Sequence, residues 1–168
     1  MANTYTLIQT IPITSSVASV TFSAIPQIYT DLVLKAFART DRAAGISDSI
    51  LTQFNNTTTT YSGRFVFTDG SSVGSQPYSS TTGFSATSAG ATSNVFSNCE
   101  MYISNYTGST SKAFIDDNVI ENNATFSYVL NDSGLWATSS AITSIVVVGG
   151  NGNIVSGSSF SLYGISKS

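Results

Sequence analysis

The stretch Asp31-Leu-Val-Leu-Lys-Ala-Phe-Ala-Arg-Thr40 decides how this chain is read. Leu32, Leu34, Ala36 and Ala38 fall on one side; Val33, Lys35, Phe37 and Arg39 fall on the other. A dry face alternating with a mixed face is the period-two pattern of a β-strand whose sheet is covered on one side. No helical stripe competes with it. The chain is also poor in Leu, Glu, Lys and Arg, which favour helices.

Working outward, the same period recurs at residues 4–11, 18–23, 49–54, 61–68, 95–104, 125–130, 142–148 and 159–165, with shorter pieces at 112–115 and 119–121. Turn signals separate them: Asp69-Gly70, Asn105-Tyr-Thr-Gly108, Asn131-Asp-Ser-Gly134 and Gly149-Gly-Asn-Gly152. The glycine-rich run at 149–152 is flanked by strands. It therefore reads as a hairpin turn, because a phosphate cradle has to open a helix. Residues 71–94 are rich in small residues, contain Pro77 and show at most one short strand near 83–86. A weakly patterned segment of that length reads as an interaction arm. Together these features predict a single all-β domain over residues 1–168. Its architecture is an antiparallel β-sandwich, jelly-roll-like, with about eight to ten strands.

Composition narrows function. Only 9% of the 168 residues are charged, whereas Ser and Thr number 30 and 22. An ordinary domain carries about 25% charge. There is no His, so no Ser-His-Asp or Cys-His catalyst and no imidazole ligand are available. Cys99 is the sole cysteine; it is in phase with Met101 and Ile103 and reads as a small buried hydrophobe. A net charge of −3 does not suit nucleic-acid binding. The longest apolar run, Ile145 to Val148, falls far short of the ~18 residues of a membrane span. The N-terminus shows no basic segment followed by an apolar run, so synthesis in a cytoplasm is expected. No cofactor and no catalytic residue are expected.

The stretches Tyr5-Thr-Leu-Ile, Ile25-Pro-Gln-Ile-Tyr-Thr-Asp-Leu-Val-Leu34, Tyr102-Ile-Ser-Asn-Tyr-Thr107, Gly134-Leu-Trp, Ala141-Ile-Thr-Ser-Ile and Gly157-Ser-Ser-Phe-Ser-Leu-Tyr-Gly-Ile165 mark strands and turns across nearly the whole chain. In this pattern the chain resembles a family of small tailed-phage virion proteins, found in phages of aquatic bacteria. The resemblance implies a jelly-roll-like sandwich that decorates the virion, on the head or in the tail-fibre apparatus. It carries no catalytic residues.

Several constellations invite a sharper reading. Asp116, Asp117 and Asn118 read as a tight turn; with Glu121 they are also a possible set of oxygen donors for calcium, and two carboxylates are what a glycosidase uses. Trp136, Tyr102, Tyr106 and Tyr163 offer either a sugar platform or core packing. Arg39, Asp41 and Arg42 concentrate charge after the best strand, as an inter-subunit ion pair or a solvated loop end. The residues expected at an interface are Tyr5, Arg39, Asp41, Arg42, Val73, Pro77, Tyr78 and Phe84. A surface this poor in charge suits a subunit walled in by neighbours, and Lys35 and Lys112 are the only lysines in predicted strands. The expectation is a virion structural protein made in the bacterial host cytoplasm. It would sit on the outer surface of the phage head as a capsid decoration protein, bridging subunits of the major capsid protein. A dimer or trimer is expected, with no nucleic acid or membrane as partner. The alternative is a tail-fibre or receptor-binding module that recognises host surface glycan.

Overall fold

A computed structural model describes residues 4–121 and 127–166. Among the described residues twelve strands follow one another with no helix between them: β1 (Tyr5–Pro12), β2 (Ser19–Phe22), β3 (Asp31–Ala38), β4 (Ser47–Phe54), β5 (Tyr61–Thr68), β6 (Val73–Tyr78), β7 (Thr82–Thr87), β8 (Ser97–Ile103), β9 (Lys112–Glu121), β10 (Ser127–Trp136), β11 (Ile145–Gly149) and β12 (Ser159–Ile165). They form two antiparallel sheets. The larger has eight strands in the order β1-β12-β3-β8-β9-β10-β5-β6, and the smaller has four in the order β2-β11-β4-β7. The expected all-β sandwich is what forms, with more strands than predicted.

The alternation read in β3 places the sheets. Leu32, Leu34, Ala36 and Ala38 point between them and are buried, while Lys35 and Phe37 face out. Register carries this inner row across the large sheet: Leu162, Leu34, Met101, Asp116, Asp132 and Phe65 lie side by side on successive strands. The row begins as hydrocarbon and ends on two acids and a ring. At one end of the sandwich an aromatic cluster ties the sheets together. Phe54 of the small sheet lies 5.8 Å from the rings of Tyr61, Phe114 and Trp136 on the large one.

Four local expectations change. Residues 112–121 form one continuous strand, so Asp116-Asp117-Asn118 is mid-strand and not a turn. Asp116 and Asn118 point inward and are buried, whereas Asp117 and Glu121 face out. Those four oxygen donors therefore cannot converge on one cation. Asn131-Asp-Ser-Gly134 likewise lies inside β10, paired on both sides. Its predicted strand began at Thr125, which lies outside the described residues. Residues 71–94 hold two strands, β6 and β7, where at most one short strand was expected. The Asp69-Gly70 turn is as read: Asp69 Oδ1 accepts from the amides of Ser71 and Ser72 at 2.9 Å, and Gly70 takes a φ of 86°.

Candidate functional site

The small sheet ends at β7, which packs across β8, β9 and β10, while the large sheet continues through β5 and β6. This mismatch leaves a cleft of about 370 Å³ beside β7. Its walls include Phe65, Tyr78, Thr82, Tyr128, Leu130 and Asp132, and Arg42 and Asp48 border it too. Phe65 and Tyr128 are only half-buried. Phe67 supports both, its ring 5.9 Å from Phe65 and stacked on Tyr128 at 5.8 Å.

A polar seam holds β7 against the large sheet. Thr82 donates its hydroxyl to Asp132 Oδ2 at 2.8 Å. Asn118 brackets the backbone of Ser85: its Nδ2 donates to the carbonyl at 2.9 Å and its Oδ1 accepts from the amide at 3.1 Å. The edge strand is thus satisfied by a side-chain amide where another strand would otherwise pair. Between these contacts sit Asp116 and Asp132, directly opposed in register. Opposed residues on one face of an antiparallel pair have Cβ atoms about 4.5–5.5 Å apart. Both Asp116 oxygens and Asp132 Oδ1 are buried and accept no hydrogen bond. Burial, with Asp132 and Asp117 adding like charge, pushes the Asp116 carboxyl up to about 9. Burial also raises Asp132. Two ionised carboxylates cannot share so dry a space, so at neutral pH Asp116 keeps its proton. Tyr78 reaches the same region because the cross-strand pair Gly63 and Gly134 leaves room; a Cβ at either would collide with its hydroxyl. Asp132 borders the cleft and Asp116 does not. The two acids therefore do not flank a substrate space as a glycosidase pair does.

The outward face of the large sheet has a different character. Tyr5, Leu7, Phe37, Val66, Val73, Ile115 and Leu135 are exposed large hydrophobics, and all take outward register positions on it. Leu7 and Ile115 are 54% and 55% exposed, Val73 77%. Across the middle runs a polar row with the Lys35–Glu100 ion pair at 2.8 Å and Asp117 accepting from Asn131. A shallow depression of about 650 Å³ lies over Lys35, Phe37, Glu100, Asp117 and Tyr163. None of the four edge strands, β1, β6, β2 and β7, contains a charged residue.

The residues singled out from sequence fall into separate places. Tyr5, Val73 and Pro77 are exposed on the large sheet. Tyr78 points into the cleft region, and Phe84 is 2% exposed and belongs to the core, so it cannot meet a partner. Arg39 is buried too. Its guanidinium donates to the carbonyls of Thr92 and Val95 at 2.8 Å and of Ala91 at 3.2 Å. It fixes the 91–95 loop and does not pair with Asp41. Asp41 binds Asn153, and Arg42 approaches Asp48 at 3.8 Å. Of the proposed sugar platform, Trp136 and Tyr106 are core residues; Tyr102 donates to Asp31 at 2.6 Å and Tyr163 faces outward. Cys99 is buried as read, and burial raises its thiol well above its ordinary range. The buried acid pair and the cleft went unread. The unbroken phase of Phe114, Asp116, Asn118 and Ile120 was the available signal.

Arg39 supports a direct prediction. Arg39→Met keeps the stem but leaves the loop carbonyls without their charged donor. A charge-assisted hydrogen bond contributes about 1.5–3 kcal/mol. Loss of at least that much is expected in urea unfolding, with no change in self-association by sedimentation. A drop in association at unchanged stability would restore the interface role.

Comparison of the chain with protein-family models, with curated proteins and with solved structures yields no match.

Proposed function

We propose that the protein is a structural subunit of a phage virion, a decoration protein on the outer surface of the head that bridges neighbouring subunits of the major capsid protein. The observation that carries this reading is the gathering of exposed large hydrophobics onto one face of one sheet. Exposed large side chains collected on one face, here on either side of the polar row, mark a protein contact. Low charge and uncharged edge strands agree with it, since a freely diffusing domain keeps its edges guarded. The identity of the partner rests on the resemblance to tailed-phage virion proteins. The mechanism is mechanical: a rigid sandwich, as a dimer or trimer, covers its face against the shell, and several contacts act together. No catalysis is part of this reading.

The test is a mass-spectrometric copy count in purified particles of the encoding phage. Copies in the hundreds support head decoration. A few to a few dozen would favour the tail-fibre reading instead. In the same particles, Leu7→Lys combined with Ile115→Lys is expected to fold normally and to be lost from the head. Full occupancy by this variant would remove the face from the account.

A further inference from the structure

We propose that the cleft beside β7 binds a neutral sugar, its ring seated against Phe65 and Tyr128 and one of its hydroxyls donating to Asp132 Oδ1. A volume of about 370 Å³ lies within the range of small-ligand sites and is too small for a folded partner. Asp132 is 3% exposed and borders the cleft; its Oδ2 accepts from Thr82, the Tyr78 hydroxyl stands beside the carboxylate, and Oδ1 completes no hydrogen bond within the chain. A buried acceptor left this way is unfavourable, and a ligand hydroxyl satisfies it. Phe65 is the register partner of Asp132 and Tyr128 lines the same space, so a flat ring and a carboxylate acceptor adjoin. The apolar face of a sugar ring and its rim of hydroxyls match that combination.

Charge selects the class. Asp132 opposes an anion. Arg42, which also borders the cleft, opposes a cation and is already engaged with Asp48 and the Ser47 carbonyl. The hydroxyls of Ser49, Thr81 and Ser85 in the lining suit a neutral polyhydroxylated ligand. Asp116 lies behind the wall, so the activity is binding without glycoside cleavage. The cleft opens between the sheets and the assembly surface is the outward face, so the two readings stand or fall separately.

The experiment is saturation-transfer NMR on the full chain at pH 7. Glucose, galactose, mannose and N-acetylglucosamine serve as neutral probes, with choline as a cation and glucuronate as an anion. Transfer to at least one neutral sugar is expected. Tyr128→Ala or Asp132→Asn should weaken it about tenfold, and Leu7→Ser on the opposite face should not. Each variant is checked for the buried emission of Trp136. Because Tyr128 is only half-buried, its removal tests the cleft even if Asp132→Asn disturbs packing. Transfer to no neutral sugar, transfer only to choline or glucuronate, or transfer that survives both cleft variants would overturn the proposal.

Discussion

Asp116→Asn is expected to make the protein more stable at pH 9 than the unsubstituted chain, although it alters a fully buried residue. The Asp116 carboxyl is held near 9 in the folded state against 3.8 for an unperturbed group. The folded chain therefore binds more protons than the unfolded chain between those values. Stability consequently falls as pH rises through this window. The favourable contribution is complete below about pH 4 and is gone above about pH 9. Each pH unit in between costs at most about 1.4 kcal/mol for one titrating group. The groups that face Asp116 reinforce the direction: Asp132 is opposite, Asp117 is its neighbour on the other side of the strand, and β7 offers only Thr, Phe, Ser, Gly and Ala above it. Asn keeps the shape and the proton count constant, so its curve is flat where the parent declines. The measurement is a set of thermal melts from pH 4 to 9 on both proteins. The difference between them isolates Asp116 from Asp69, whose bonds to Ser71 and Ser72 hold it below the usual carboxylate range and whose stabilising contribution is lost only in acid. Parallel curves, or a parent that gains on the variant toward pH 9, would contradict a buried neutral acid.

This pair also shows where the sequence was legible and where it was not. β3, β5 and β12 could be read because their alternation uses residues with one preference each; predicted and observed ends of β5 and β12 coincide. β9 was split and β10 cut short because Asp, Asn, Ser and Gly disfavour strands and favour turns. Tertiary context overrides that preference at Asn118, whose amide stands in for a missing strand beside Ser85. At Gly63 and Gly134 the absent side chain makes space for Tyr78. β6 was missed for another reason. It is an edge strand largely exposed on both faces, so no alternation is imposed on Val73, Gly74, Ser75, Gln76 and Pro77. The cleft draws on β4, β5, β6, β7 and β10, and nothing in one strand announces what another will bring to it. The outward apolar face was foreseen only as a composition. Its location depends on register, which places Leu7, Phe37, Val66 and Ile115 on the same side.

Phe54→Ala is expected to cost about 3–5 kcal/mol, the range for removing a buried aromatic from a packed core. Phe54 is 0% exposed and belongs to β4 of the small sheet; Tyr61, Phe114 and Trp136 belong to the large one. Its edge-on contacts with Phe114 and Trp136, at 77° and 76°, are the favoured aromatic geometry and add to the buried area. Its amide donates to the Tyr61 hydroxyl at 2.7 Å, and Tyr61 is itself 3% exposed, so a cavity here also loosens a buried polar contact. The total stability of a domain is about 5–15 kcal/mol. The variant should therefore melt many degrees lower, at about 2–4 °C per kcal/mol for this size. Trp136, the only tryptophan, reports locally: it is 2% exposed and its indole N–H donates to the Thr57 hydroxyl at 3.1 Å. Its emission should shift to the red under native conditions as water reaches the vacated space. Ile28→Ala, at a side chain 80% exposed in the connection between β2 and β3, provides the contrast and should change stability by no more than about 0.5 kcal/mol. If Phe54→Ala lost less than about 1.5 kcal/mol, the aromatic cluster would not be what locks the two sheets at this end, and the positions of β5 and β10 that shape the cleft would need another support.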